Sequence, residues 1–225
     1  LAMLSDKTVD EIIALVGTDR ETDLKQMFFA LEHYGIHEEN MDTLRKFIGP
    51  PLVRSFKELY GFSQEQSREA VEIYRERYKV KGIYECSLYD GVESTIKELK
   101  NRGYKIGLAS SKPEKSCEII LKHFGIYDLF DEVVGATFDG KIDTKEEVLN
   151  ELLRRWKDTD KDDICLIGDT IYDVEGANKV GIETIVVSYG FGNSDEMLSN
   201  GAIAVCDSMA QLPEKILQLF GECNG

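Results

Sequence analysis

The chain has 225 residues, more than one average domain and enough for a sizeable core, so a full domain carrying a smaller insertion is the expected plan. Its 27 lysines and arginines against 42 acidic residues leave a formal charge of −15, a field that repels nucleic acid phosphates and anionic membranes, so any phosphate must be held by local groups. With 42% hydrophobic and 31% charged residues the composition is globular, and no apolar run approaches the roughly 20 residues that cross a bilayer.

In chain order, Met3 reads as the native start, with no signal-peptide apolar core behind it. Ile12–Val16 is a short apolar run closed by Gly17-Thr18, and it fits a first strand better than the end of a helix begun at Ser5. From about residue 20 to residue 87 the periodicity is helical throughout. Leu24, Met27, Phe28 and Leu31 follow the i, i+3, i+4, i+7 rule, and Ser63 with Gln66 makes a capping box for a helix reaching about Tyr78. Gly49-Pro50-Pro51 reads as a helix stop inside this stretch. His33, His37 and later His123 have no partners at metal-ligand spacing and are expected on the surface, while Tyr60, Tyr74, Tyr78 and Trp156 are expected to pack.

From Gly103 onward short apolar runs alternate with amphipathic stretches. Tyr104–Ala109 is strand-like, Pro113–Phe124 helix-like with Pro113 in its first turn and Gly125 as its stop, and Val133-Val134 is a short apolar pair. Lys145–Trp156 reads as a helix with Val148, Leu149 and Leu152 on one face, followed by a buried strand Ile164–Gly168, a helix around Asp173–Val180 and a strand Thr184–Val187. Met209–Phe220 closes the chain as an amphipathic helix with Leu212, Ile216, Leu217 and Phe220 inward. This alternation is the signature of an α/β doubly wound parallel sheet, whose ligands sit at the carboxyl ends of the strands. The expected division is a core of residues 1–19 and 88–225 and a helical domain of residues 20–87.

Chemistry concentrates at three of these junctions. After the strand ending at Gly168, Asp169 and Asp173 are two carboxylates that the turn can aim into one crevice, as a hard, oxygen-seeking Mg²⁺ requires; the same residues also suit a turn and a helix N-cap. Ser110-Ser111-Lys112-Pro113 ends a strand and opens a helix, so hydroxyl, backbone N–H groups and helix dipole face a site fit for an anion, or Ser111 simply caps the helix. Lys145, alone a solvated lysine, stands at a helix start on the same end of the sheet. Cys86, Cys117, Cys165, Cys206 and Cys223 form no CxxC pair, which argues against a disulfide framework or zinc site and for a reducing cytoplasm.

Together these residues resemble the haloacid dehalogenase (HAD) superfamily, and within it the phosphoglycolate phosphatase-like branch. Ser110 in GLASSKP is similar to the family's second-motif hydroxyl, Lys145 in DTKEEV to its third-motif lysine, and Gly168-Asp169 with Asp173 to its GDxxxD fourth motif. FIGPPL (Phe47–Leu52) and YGFG (Tyr189–Gly192) are similar to segments of the branch's cap and fifth strand. The resemblance implies a Rossmannoid α/β core with a smaller all-helical cap. It implies Mg²⁺ held by Asp169 and Asp173, catalytic roles for Ser110 and Lys145, and phosphoryl oxygens bound by Ser110, Ser111, Lys112 and Lys145. The partner implied is a small phosphorylated metabolite, faced by Gly49, Pro50 and Arg54 of the cap, with no nucleic acid or membrane partner and no oligomeric state specified.

The first motif departs from the family. There a strand ends DxDGT, the first Asp being the nucleophile that becomes an aspartyl phosphate and binds Mg²⁺, the second the general acid/base. The aligned segment Ile12–Thr18 carries Ala14 and Val16 at those positions. Asp10 lies about 13 Å back from Ala14 along a strand at roughly 3.3 Å per residue, at the wrong end of the sheet, and Asp19, Glu21 and Asp23 follow Thr18 and could approach the mouth of the site, but a shortened loop does not guarantee the near-contact geometry that in-line attack needs. The implied function is Mg²⁺-dependent hydrolysis of small phosphomonoesters, of phosphoglycolate or nucleotide type, through an aspartyl phosphate in intact relatives. The alternative is a catalytically silent phosphate-binding pseudo-phosphatase or a nucleophile-removed form.

Overall fold

The computed structural model describes residues 11–13, 21–47, 52–157 and 159–221. They fall into two compact units, one made of the first strand and the chain from Leu88 onward, the other of the helices up to Ser87.

The larger unit is built on six parallel strands: β1 (Glu11–Ile13), β2 (Lys105–Pro113), β3 (Glu132–Ala136), β4 (Ile164–Gly168), β5 (Glu183–Val187) and β6 (Ala204–Cys206), in the order β3-β2-β1-β4-β5-β6. Between them run α5 (Val92–Asn101), α6 (Glu114–His123), α7 (Lys145–Arg155), α8 (Ile171–Val180) and α9 (Ser194–Ser199), and α10 (Leu212–Phe220) follows β6. Every residue of β4 is buried, which is why its sequence ICLIG is apolar throughout rather than alternating. One face of the sheet packs Ile106, Leu108 and Ile167 against α5, α6 and α10; the other packs Ala109, Val134 and Leu166 against α7 and α8. The doubly wound parallel sheet expected from the sequence is the fold observed.

β1 is a strand, paired in parallel with both β2 and β4, and its register sets Ile13 beside Gly107 and Leu166. The strand change from β1 to β2 on one side and β4 on the other is the switch point where a doubly wound sheet opens its crevice.

Two boundaries differ from expectation for physical reasons. β2 does not stop at Ala109 but runs on to Pro113: Ser110 pairs with Gly135, the chain bulges at Ser111-Lys112, and Pro113 rejoins the ladder beside Ala136. Pro113 is therefore the residue before α6, with φ −55 and ψ 135, and Ser111 does not cap that helix. At the carboxyl end, a short 3-10 turn (Met209–Gln211) precedes α10, which begins at Leu212 with Pro213 in its first turn. Leu212, Ile216 and Phe220 are buried there and Leu217 is half-buried.

The smaller unit holds α1 (Glu21–His33), α2 (Met41–Arg45), α3 (Leu52–Tyr60) and α4 (Gln64–Val80). Its core is Leu24, Met27, Leu31, Leu44, Phe47, Phe56, Phe62 and Val71. Phe56 is the hub, edge-on to Phe47 at 4.9 Å and stacked on Phe62 at 5.7 Å. The capping box at α4 forms as its sequence dictates: Ser63 Oγ accepts from Gln66 N at 3.1 Å and Gln66 Oε1 accepts from Ser63 N at 3.0 Å. Around the core, Tyr60 donates to Glu38 and Tyr34 to Glu69, each at 2.8 Å. Buried Gln26 bonds Arg77 and Glu85. Among the described residues no helix is long and apolar enough to cross a membrane.

Candidate active site

The site forms where β2 and β4 end. Gly168 closes β4, and a Cβ there would lie 2.5 Å from the Cβ of Asp173, so only glycine lets the first turn of α8 fold back against the strand. Asp169 and Asp173 are then both buried, 1% and 4% exposed.

The two carboxylates do different work. Asp173 Oδ2 accepts from Thr170 Oγ1 at 2.8 Å, Thr170 N at 3.0 Å and Asp169 N at 3.2 Å, fixing the turn that carries Asp169. Its other oxygen, Oδ1, lies 2.9 Å from Lys145 Nζ. Asp169 is instead wrapped by the loop after β5. Phe191 N approaches its Oδ2 at 3.4 Å, Gly192 N donates to its carbonyl oxygen at 2.7 Å, and a Cβ on Gly190 would overlap its side chain.

Lys145 is the first residue of α7, set there by a second capping box: Thr144 Oγ1 accepts from Glu147 N at 3.3 Å, and Glu147 Oε2 accepts from Thr144 N at 2.9 Å. Glu147 Oε2 also accepts from Asp143 N at 2.9 Å and from Thr144 Oγ1 at 3.0 Å, and these bonds, that from Asp143 N foremost, hold the exposed carboxyl below its ordinary range. The lysine runs inward past α8 through a gap that Gly176 provides, since a Cβ there would sit 2.5 Å from Lys145 Cγ. Its Nζ ends between Asp173 and the carbonyl oxygen of Ala109, to which it donates at 2.8 Å. Ala109 precedes Ser110, so this bond brings the third-motif lysine to the end of β2.

At Ser110 the Oγ accepts from Lys112 N at 3.1 Å, tightening the bulge. Cys117 lies beneath; burial pushes its thiol up while the Ser110 hydroxyl beside it works the other way. Gly135 of β3 makes room for the bulge, because a Cβ there would lie 2.5 Å from Lys112 O and from Glu114 N.

The structure thus gathers Lys145, Asp173, Asp169 and the Ala109-Ser110 strand end into one cluster, while Lys112 is half-buried and Ser111 exposed on the bulge. Arg54, in the helical unit, is exposed and paired with Glu58 at 2.7 Å. Ala14, Val16, Gly49 and Pro50 lie outside the described residues, as do Asp10 and Asp19. Among the described residues no three His, Cys, Asp or Glu side chains converge as a complete metal set. Asp169 on its own is a buried hard oxygen donor, which suits Mg²⁺, an ion that takes one or two carboxylates and completes its shell with waters and phosphate oxygens.

Sequence reasoning did not single out Gly176, and it named Gly190 and Gly192 only within the YGFG segment, without their place against Asp169. The first left a signal, since a glycine inside a helix costs about 1 kcal/mol against alanine and so implies a close approach. The other two depend on a loop remote in sequence closing on Asp169.

Comparisons with known proteins agree on the family of these features. Residues 18–187 match the description "Haloacid dehalogenase-like hydrolase". A 5'-nucleotidase of Pseudomonas aeruginosa is 36% identical over 193 residues, covering 86% of this chain and 87% of its own. The tyrosine-protein kinase PtkA of Mycobacterium tuberculosis is 33% identical over 166 residues, 74% of this chain and 56% of its own. Among solved structures, a predicted phosphatase from Clostridium acetobutylicum superposes with a TM-score of 0.86 at 37% identity, covering 94% of this chain and all 100% of that one.

Proposed function

We propose, from the premise that the chain belongs to the haloacid dehalogenase-like hydrolase family, that it is a hydrolase of small phosphomonoesters whose phosphoryl group sits at the ends of β2 and β4. The observation that carries this reading is the Lys145 side chain, 8% exposed and held by Asp173 and by the Ala109 carbonyl at the end of β2. Two of its three N–H groups are committed to those partners, and the third serves a phosphoryl oxygen. Ser110 Oγ, already accepting from Lys112 N, donates its own proton to a second oxygen, with the N–H groups of the bulge beside it.

Asp169 is the residue to hold Mg²⁺, and Asp173, with both oxygens engaged, acts behind it by fixing the Asp169 turn and the Lys145 ammonium. When bound, the metal supplies charge neutralisation for the phosphoryl group. Phosphoryl transfer is mostly positioning and electrostatics, and these four side chains supply that part. The resemblance assigns the attack and the proton transfer to two aspartates, and this sequence has Ala14 and Val16 there.

For the substrate, the 5'-nucleotidase relative and the resemblance to phosphoglycolate phosphatases both favour a small phosphorylated metabolite, and Gly49, Pro50 and Arg54 are proposed to face it. A reducing, cytoplasmic setting is supported by Cys117, Cys165 and Cys206, buried thiols that form no disulfide.

The test is Mg²⁺-dependent phosphate release from nucleoside 5'-monophosphates, phosphoglycolate and other small monoesters. The Ala14→Asp/Val16→Asp variant is expected to exceed the unsubstituted chain by at least about a hundredfold, the scale of one catalytic acid/base, and Asp169→Asn is expected to abolish the gain. Equal, Asp169-dependent release by the unsubstituted chain would place the nucleophile elsewhere. No release by any form would reject the reading.

A further inference from the structure

The edge of the sheet carries an ion cluster that the reading above does not use. Arg155, the last residue of α7, lies about a quarter exposed and donates from Nη2 to Glu114 Oε2 at 2.8 Å, from Nη1 to Glu132 Oε1 at 2.9 Å and from Nε to Glu151 Oε1 at 2.9 Å. It also reaches the carbonyl oxygen of Val133 at 3.2 Å, and Glu114 Oε2 accepts from Gly135 N at 3.4 Å. β3 is the edge strand, so the pair satisfies two of its outward backbone groups. Moreover α6 and α7 lie on opposite faces of the sheet, so the Arg155–Glu114 bond joins them around that edge.

Glu114 is the first residue of α6 and directly follows the Ser110–Pro113 bulge. The bulge rests on Gly135, with no room for a side chain between them. The bulge is therefore pressed against β3 from below and drawn toward it by the Glu114 carboxylate. Because the Ser110 hydroxyl that is to meet the anion is tied to this bulge by the Lys112 N–H, a shift of the first turn of α6 moves it away from its place.

We infer that Arg155 is a positioning residue for the phosphoryl site, acting through Glu114 to hold the Ser110–Lys112 bulge in its anion-binding shape. This deepens the phosphomonoester reading and rests on it. Burial opposes the charge of Arg155, but the hydrogen bonds to Glu132, Glu151 and Glu114 outweigh it and raise its pKa, so the clamp stays charged at any working pH.

The experiment compares Arg155→Met, Arg155→Lys and Glu114→Gln with Lys100→Met. The last breaks the Lys100–Asp131 bridge, 2.6 Å long, at the amino end of β2 and serves as a control for lost stability. Two readouts are taken: inorganic phosphate affinity by titration calorimetry with Mg²⁺ present, and hydrogen exchange of residues 110–116 in the free protein. Arg155→Met is expected to weaken phosphate about tenfold and to speed exchange across 110–116. Arg155→Lys should recover part of both, and Glu114→Gln should add little to Arg155→Met, as two members of one linkage must. Lys100→Met should lower the melting temperature without either change. Unchanged exchange at 110–116, or unchanged phosphate affinity in Arg155→Met, overturns the inference. Failure of the unsubstituted chain to bind phosphate overturns the phosphomonoester reading instead, and the exchange comparison still decides whether Arg155 sets the bulge.

Discussion

At the carboxyl end of β4, Lys145 and Asp173 meet 2.9 Å apart with side chains 8% and 5% exposed. In the helical unit the core is an apolar cluster centred on the rings Phe47, Phe56 and Phe62, its buried Gln26 is a neutral amide, and the polar pairs Tyr60–Glu38 and Tyr34–Glu69 lie around that core. Desolvating an ion pair cancels much of its attraction, so an apolar pair of the same volume would serve folding as well at the strand end. Rings in contact contribute directly through burial and packing. The difference teaches that the core of the helical unit is held by apolar packing, whereas the strand ends keep a charged pair in a costly place, as the proposed phosphoryl site would require.

Removing one partner of the buried pair is the strongest way to break that contrast. Lys145→Met leaves the Asp173 carboxylate buried and uncompensated, and should cost about 3–5 kcal/mol in urea unfolding. Adding Asp173→Asn should return much of that stability and none of the phosphate binding. Phe56→Ala, at the hub of the ring cluster, should cost a similar ~3–5 kcal/mol by cavity formation, with exchange rising in α1, α3 and α4. No second substitution that only neutralises charge should repair it.

A smaller effect is expected at Gly176. Alanine there improves helix propensity, yet its Cβ would sit 2.5 Å from Lys145 Cγ, so the lysine must move. A net loss of about 1–3 kcal/mol is expected from overpacking, together with weaker phosphate binding.

The smallest effects separate the units by pH. Glu151 on α7 is lowered to about 2, chiefly by its hydrogen bond to Arg154 and also by Arg155. A depressed folded pKa contributes stability above the unfolded value of about 4.3, lost as pH falls toward 2; Glu151→Gln should flatten that acid limb. Tyr34 in the helical unit is raised to about 12 by burial and by Glu69. That contribution is complete below the unfolded value of about 10 and is lost as pH rises through 12, so Tyr34→Phe should flatten the alkaline limb.

Much of the scaffold was legible because its signals are local. ICLIG followed by Gly168-Asp169 announces a buried strand and a sharp turn, Ser63 and Gln66 announce the start of α4, and the period of Leu24, Met27 and Leu31 announces α1. What stayed hidden depends on partners far apart in the chain. The extension of β2 to Pro113 needs the pairing of Ser110 with Gly135 and of Pro113 with Ala136. The spacing of Asp169 and Asp173 predicts two carboxylates in one crevice, but only their contacts distinguish the one wrapped by Phe191 and Gly192 from the one bound to Thr170 and Lys145. The Arg155–Glu114 link spans 41 positions and two faces of the sheet, and no local pattern encodes it.

The most direct test of the central claim, that the cluster at the ends of β2 and β4 is a phosphoryl site, is a calorimetric titration of inorganic phosphate into the unsubstituted chain and into Lys145→Met, with Mg²⁺ present. The account predicts saturable one-to-one binding that disappears in Lys145→Met while the far-UV spectrum of the folded protein is kept. Equal affinity in the two proteins would contradict it.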